Sequence, residues 1–184
     1  MDDEGMESAH ILGHSMGGKL AMHLALEHPE RVNKLIIADI GPKAYPESHG
    51  PIFDAFDAVN PSQYGSRKAV DQAMKLVVPE FGLRQFLLKN LEREGDSYRW
   101  SINLPAIRNG YVALLREVES WEPFDGEVLF VRGAKSNYLK EDDMASIRAL
   151  FPFAEMVSME ESGHRLHAEN PALFAKLTLS FLAR

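Results

Sequence analysis

The chain has 184 residues, 45% of them hydrophobic and 26% charged, with a formal net charge of −7 and no cysteine. That length buries a core unaided, and the lack of thiols excludes a disulfide framework or a thiolate metal site. The negative balance with no basic stripe argues against nucleic-acid binding. No apolar run approaches the roughly 18 residues of a membrane span, and the acidic start Met1-Asp2-Asp3-Glu4 is unlike a signal peptide. The expectation is a cytoplasmic protein.

Ala9 to Leu12 is a short apolar run that reads as a buried strand. It is followed by Gly13-His14-Ser15-Met16-Gly17-Gly18-Lys19 and then by a helix-like stretch, Gly17 to Glu27. In that stretch Leu20 and Leu24 share one face, as do Ala21 and Ala25, and Pro29 ends it. Lys34 to Asp39 reads as a second strand, closed by the turn pair Gly41-Pro42. Strand, helix, strand in this order implies a parallel sheet with a crossover connection.

Between Tyr45 and Trp121 the character changes. His49-Gly50-Pro51 and Asn60-Pro61-Ser62 read as loops. Ser66 is placed to cap a helix carrying Val70, Met74 and Val77 on one face. Phe81 to Leu91 and Ala106 to Val118 read as further helices, and Tyr98 to Ile102 as a short alternating strand. The block 45–121 therefore reads as a helical lid inserted between core parts 1–44 and 122–184. Its aromatics, such as Phe53, Phe56 and Trp100, are read first as the lid's own core. The α/β pattern then returns: a strand at Glu127–Arg132, a helix at Glu141–Leu150, a strand at Ala154–Met159 and a last helix opened by Pro171.

The chemistry-bearing feature is the joint between the first strand and helix. Gly13 and Gly17 flank Ser15 as G-x-S-x-G, the nucleophile-elbow pattern, on a turn tight enough to need glycine. At ordinary glycine and serine frequencies about 0.06 such matches arise by chance in a chain this long. A match lying between a strand and a helix is rarer still. The helix that starts here offers free N–H groups and the positive end of its dipole, and the Met16 N–H is the expected oxyanion donor.

A serine needs a base. Of seven histidines, His10, His14, His23, His28, His49, His164 and His167, the candidate is His164. It follows Gly163 in the loop after the last strand, which fits the chain order serine, acid, histidine. His167 is the runner-up, and His10 and His14 read as structural. The acid is less direct. Asn137 sits in the loop after strand 127–132 where an aspartate would be expected, and an asparagine cannot stabilise an imidazolium. Asp142 and Asp143 read as helix-start carboxylates. Asp39, which ends the strand next to the elbow strand, is the better candidate, against the alternative of a turn residue before Gly41-Pro42. No histidine–carboxylate cluster points to a metal.

With these residues in view, the chain resembles the α/β-hydrolase superfamily, and within it the small bacterial esterases of the YbfF type. The resemblance rests on GHSMGGK, LIIADIGP, KNLEREGDSYRWSINLPAI, VLFVRGAKSNY and SGHRLHAENP, and covers nearly the whole chain. It implies a mostly parallel sheet with a helical lid insertion. It also implies hydrolysis of short or medium acyl esters without a cofactor or metal, the acid falling on Asp39. Carbon–carbon bond hydrolysis is the alternative chemistry of the same fold.

Members of that family carry further strands before the elbow strand, and a loop after one of them supplies a second oxyanion N–H. This sequence starts at what resembles the end of the preceding helix, so the core is expected to be N-terminally incomplete. It would then leave an open sheet edge prone to self-association. Three readings follow: a fragment of an active esterase, a chain completed by another chain, or an inactive remnant serving as a binding module.

Overall fold

The computed structural model describes residues Met1 to Arg184. In chain order the first elements are β1 (Ala9–His14), α1 (Met16–Glu27) and β2 (Val32–Ala38). Next come α2 (Gly50–Ala58), α3 (Arg67–Lys75), α4 (Phe81–Leu87), β3 (Leu91–Glu94), β4 (Ser97–Trp100) and α5 (Leu104–Leu115). The chain ends with β5 (Glu127–Gly133), α6 (Met144–Leu150), β6 (Ala154–Met159), α7 (Leu166–Glu169) and α8 (Pro171–Leu182). No helix is long and apolar enough to cross a membrane.

Two compact units result. Met1–Tyr45 and Arg116–Arg184 form one, and Pro46–Leu115 the other. The second junction falls at Leu115/Arg116 rather than at 121/122, because Val118 N donates to Pro42 O at 2.7 Å and Val118 is buried in the first unit's core.

In the first unit four parallel strands pair in the order β1-β2-β5-β6. The two interior strands are continuously apolar over Leu35–Ala38 and Val128–Val131 because both faces are covered there. Leu35 and Ile37 of β2, with Val128 and Phe130 of β5, enter one core cluster with α1 residues Ala21, Met22 and Ala25. Ile36 and Ala38, with Leu129 and Val131, enter the other, which Phe181 of α8 joins. Each fully buried large side chain contributes about 1.5–3 kcal/mol, so this two-faced strand pair anchors the sheet. On α1 the face that packs is made by Ala21, Met22 and Ala25, with Leu24 partly buried against the same core. Leu20, expected to pair with Leu24, is 70% exposed.

The inserted unit has its own core, in which Phe56, Val70, Met74, Leu87 and Leu88 are buried. Ser66 caps α3 by accepting from Ala69 N at 3.2 Å. Two segments differ from the sequence expectation. Gly50–Ala58 is a helix, with Pro51 in its first turn where a missing N–H is harmless. The expected helix 81–91 stops at Leu87, and Leu91–Glu94 pairs antiparallel with Ser97–Trp100. Gly95, at φ 61°, makes the intervening turn.

Candidate active site

β1 and β2 end side by side, and each continues its ladder by one residue. Ser15 N donates to Ala38 O at 3.1 Å, and Asp39 N donates to Val131 O at 2.9 Å. Both residues then turn off at positive φ, 54° for Ser15 and 50° for Asp39. That conformation costs a non-glycine residue of order 1–3 kcal/mol and persists only where the surroundings enforce it.

Close packing enforces it at Ser15. A Cβ on Gly13 would stand 2.3 Å from Gly17 O, and one on Gly18 would stand 2.5 Å from Ile40 Cγ2. Only glycine lets α1 fold back onto β1 and β2 at these two positions. Gly17, expected as the second required glycine, faces open space and has an ordinary φ. The steric demand falls on Gly18, one residue further on. Met16 opens α1 directly after Ser15, so its N–H belongs to the first-turn donors that have no acceptor within the helix.

His164 arrives on the loop between β6 and α7, and that loop is tied down on several sides. Lys135 N donates to Ser162 O at 2.9 Å. The Glu169 carboxylate accepts from Gly163 N at 2.6 Å and Arg165 N at 3.2 Å, the amides on either side of the histidine. A Cβ on Gly133, at the end of β5, would stand 2.2 Å from Gly163 O, so this loop lies directly against the sheet.

The outcome is a continuous hydrogen-bonded chain. His164 Nε2 lies 3.0 Å from Ser15 Oγ, and His164 Nδ1 lies 2.8 Å from Asp39 Oδ2. Asp39 is wholly buried, yet every side has a donor: Gly133 N donates to Oδ1 at 2.9 Å, and the Ser136 hydroxyl donates to Oδ2. A carboxylate only accepts, so the Nδ1 of His164 carries the proton. Its Nε2 then presents a lone pair to the Ser15 hydroxyl. The Tyr138 ring stacks on the imidazole with centroids 3.9 Å apart. The Tyr138 carbonyl accepts from Tyr45 Oη at 2.7 Å, and burial pushes the Tyr45 phenol up.

The other candidates stand apart from this chain. Asn137 is exposed and accepts from Lys140 Nζ at 2.9 Å. Asp142 is exposed, and Asp143 pairs with Lys43 at 2.7 Å. His167 lies in α7 with its ring 4.6 Å from that of His14. His10 is exposed on β1, and His23 and His28 meet Glu27 and Glu30 at the surface. Sequence reasoning passed over Ser136, Tyr138 and Glu169. Ser136 had one available signal, its place in the loop where the acid was sought.

A parallel α/β core with a serine elbow, a histidine loop and a buried carboxylate defines an α/β hydrolase. The chain belongs to the alpha/beta hydrolase fold family, whose model it matches over residues 4–171. It is 37% identical, over 94% of its length, to the sn-1-specific diacylglycerol lipase ABHD11 of Mus musculus, and spans 58% of that protein. It is 33% identical over 93% of its length to Esterase YbfF of Escherichia coli, spanning 66% of it. The solved structure of a marine microorganism esterase matches with a TM-score of 0.92 at 36% identity, covering 98% of this chain and 72% of that one. The chain thus spans less than two thirds of the length of these curated relatives.

Proposed function

We propose that the protein is a serine hydrolase that cleaves carboxylic esters of short or medium acyl length through an acyl-enzyme on Ser15. The observation that carries the reading is the unbroken sequence of hydrogen bonds from Ser15 Oγ through the His164 ring to Asp39. Ser15 Oγ attacks the ester carbonyl while His164 Nε2 takes its proton. The buried Asp39 carboxylate stabilises the imidazolium so formed. Negative charge developing on the carbonyl oxygen meets the Met16 N–H at the head of α1, and a donor of this kind contributes about 3–4 kcal/mol to the transition state. The imidazolium then returns its proton to the departing alkoxide. A water, deprotonated in turn by His164, releases the acid. The names of the relatives, a lipase and two esterases, support the same class of substrate, and a cysteine-free chain fits a cytoplasmic setting.

The test is covalent. A fluorophosphonate probe should label Ser15, and labelling should be lost in Ser15→Ala and strongly slowed in His164→Ala. A folded, soluble sample whose Ser15 stays unlabelled would refute the proposal. Short acyl esters should turn over faster than carbon–carbon substrates; the reverse order would move the chemistry to the other branch of this fold.

A further inference from the structure

The corner of the inserted unit where α3 meets α4 is apolar on the outside. Leu76 is 86% exposed, Phe81 66%, Phe86 45% and Val77 44%. These are not core residues left over, because the inward positions of the same segment, Val70, Met74, Val78, Leu87 and Leu88, are all buried. Nor is the corner loose. Arg84 donates to Val78 O at 3.0 Å and to Pro79 O at 3.1 Å while its guanidinium lies 5.5 Å from the Phe81 ring, which fixes the turn to the first turn of α4.

The charge of this segment is reversed relative to the chain. Residues 67–89 hold five basic side chains (Arg67, Lys68, Lys75, Arg84 and Lys89) against two acidic ones (Asp71 and Glu80), in a protein of net charge −7. Both acids are engaged within the segment: Asp71 pairs with Arg84 at 2.6 Å, and Glu80 accepts from the α4 amides of Gly82 and Leu83. Lys68, Lys75 and Lys89 are exposed, Lys75 directly before Leu76 in sequence. Lys89 Nζ lies 6.0 Å from the centre of the Phe86 ring.

We propose that this corner docks on the surface of an anionic lipid bilayer. Leu76, Val77, Phe81 and Phe86 enter the boundary between headgroups and acyl chains, and the lysines sit at the level of the phosphates. Exposed aromatic and aliphatic side chains in a lysine-rich segment are the composition that seats a helix in a membrane interface, and lipid phosphates attract lysines only within about a Debye length of the surface. The rest of the chain is acidic and is repelled by the same surface, so this corner alone faces it. The attachment is peripheral, in keeping with helices too short to span.

The experiment uses the whole chain as Ser15→Ala, so that binding is read without turnover and independently of the hydrolase reading. Co-sedimentation is measured with phosphatidylcholine vesicles, with and without phosphatidylglycerol. Binding to the anionic vesicles is expected, weakened by added salt, and reduced at least ~tenfold in Leu76→Ser/Phe81→Ser and in Lys75→Glu/Lys89→Glu. All four positions are exposed, so thermal melting should stay unchanged in both variants. Absence of binding to anionic vesicles would overturn the proposal, as would equal binding to phosphatidylcholine alone or full binding by either double variant. A concentration-dependent dimer that both double variants abolish would overturn it in favour of a second copy of the chain.

Discussion

His14 Nε2 lies 2.7 Å from the main-chain carbonyl oxygen of His164. A carbonyl accepts, so this nitrogen carries the proton. Burial, the largest cause, lowers the His14 pKa, against the bond to the His164 carbonyl, which raises it. The last residue of the elbow strand thus holds the loop of the proposed base by one hydrogen bond. Replacing His14 by Phe keeps the packing against the rings of His164 and His167 but removes the donor. We expect kcat for a soluble ester to fall by about fivefold, with KM little changed, since one such bond contributes about 1 kcal/mol. His14→Gln, which keeps an N–H of similar reach, should recover most of the rate. Wild-type kcat in His14→Phe would show that the bond does not position the base.

Asp39→Asn should cost about four orders of magnitude in kcat, because an amide can stabilise neither the imidazolium nor the required tautomer. Asp142→Asn, on an exposed side chain, should leave the rate within a factor of two or so. Adding Asn137→Asp to the Asp39 variant should not rescue it, since residue 137 is exposed and turned toward Lys140. Equal losses from Asp39→Asn and Asp142→Asn would reject Asp39 as the acid.

What was legible in the sequence is what local pattern encodes. Leu35, Ile36, Ile37 and Ala38 form a continuous apolar run because both faces of β2 are covered, and such a run reads as a buried parallel strand. That Ser15 and Asp39 come together was legible because each follows a strand of one parallel sheet and so leaves by the same edge. Ser136, Tyr138 and Glu169 were not findable in this way. The Ser136 hydroxyl meets Asp39 across 97 positions of sequence, and no periodicity encodes such a meeting. The hairpin was missed because Leu91-Glu92-Arg93-Glu94 has the composition of a helix. Its partner, through Leu91 opposite Trp100 and Arg93 opposite Tyr98, makes it a strand. Helix α2 was missed because Gly50-Pro51 is punctuation in a loop but also a legitimate helix start.

The elbow glycines should separate by stability. Gly13→Ala sets a methyl 2.3 Å from a main-chain oxygen, which no side-chain rotation relieves. A loss of at least 1–3 kcal/mol is expected, or failure to fold. Gly17→Ala faces open space inside a helix and should stabilise by about 0.5–1 kcal/mol. Urea melts of the two variants decide it. A Gly17→Ala protein as unstable as Gly13→Ala would mean that Gly17 carries a demand other than the steric one.

Lys19 gives a prediction in pH. Its side chain is buried in the first turn of α1, where Nζ donates to Lys43 O at 2.8 Å and to the Arg116 carbonyl, 5.1 Å from the Tyr45 ring centre. Burial brings its pKa down to about 8 from the ordinary 10.5. Between these values the unfolded chain holds a proton that the folded chain has released, so raising the pH through that window favours folding, by up to ~3 kcal/mol. The neutral amine still has two N–H groups for the two carbonyls. The Tyr45 phenol, pushed up by burial, opposes folding only above about pH 10, where tyrosines of the unfolded chain ionise. The interval from about 8 to 10 therefore belongs to Lys19. In Lys19→Met this increment is absent, so the stability difference between wild type and variant should move toward the wild type as pH rises from 8 to 10. Urea midpoints at the two pH values measure it. A difference that does not change with pH would mean that Lys19 keeps its proton throughout the interval and that the carbonyls and the Tyr45 ring offset its burial in full.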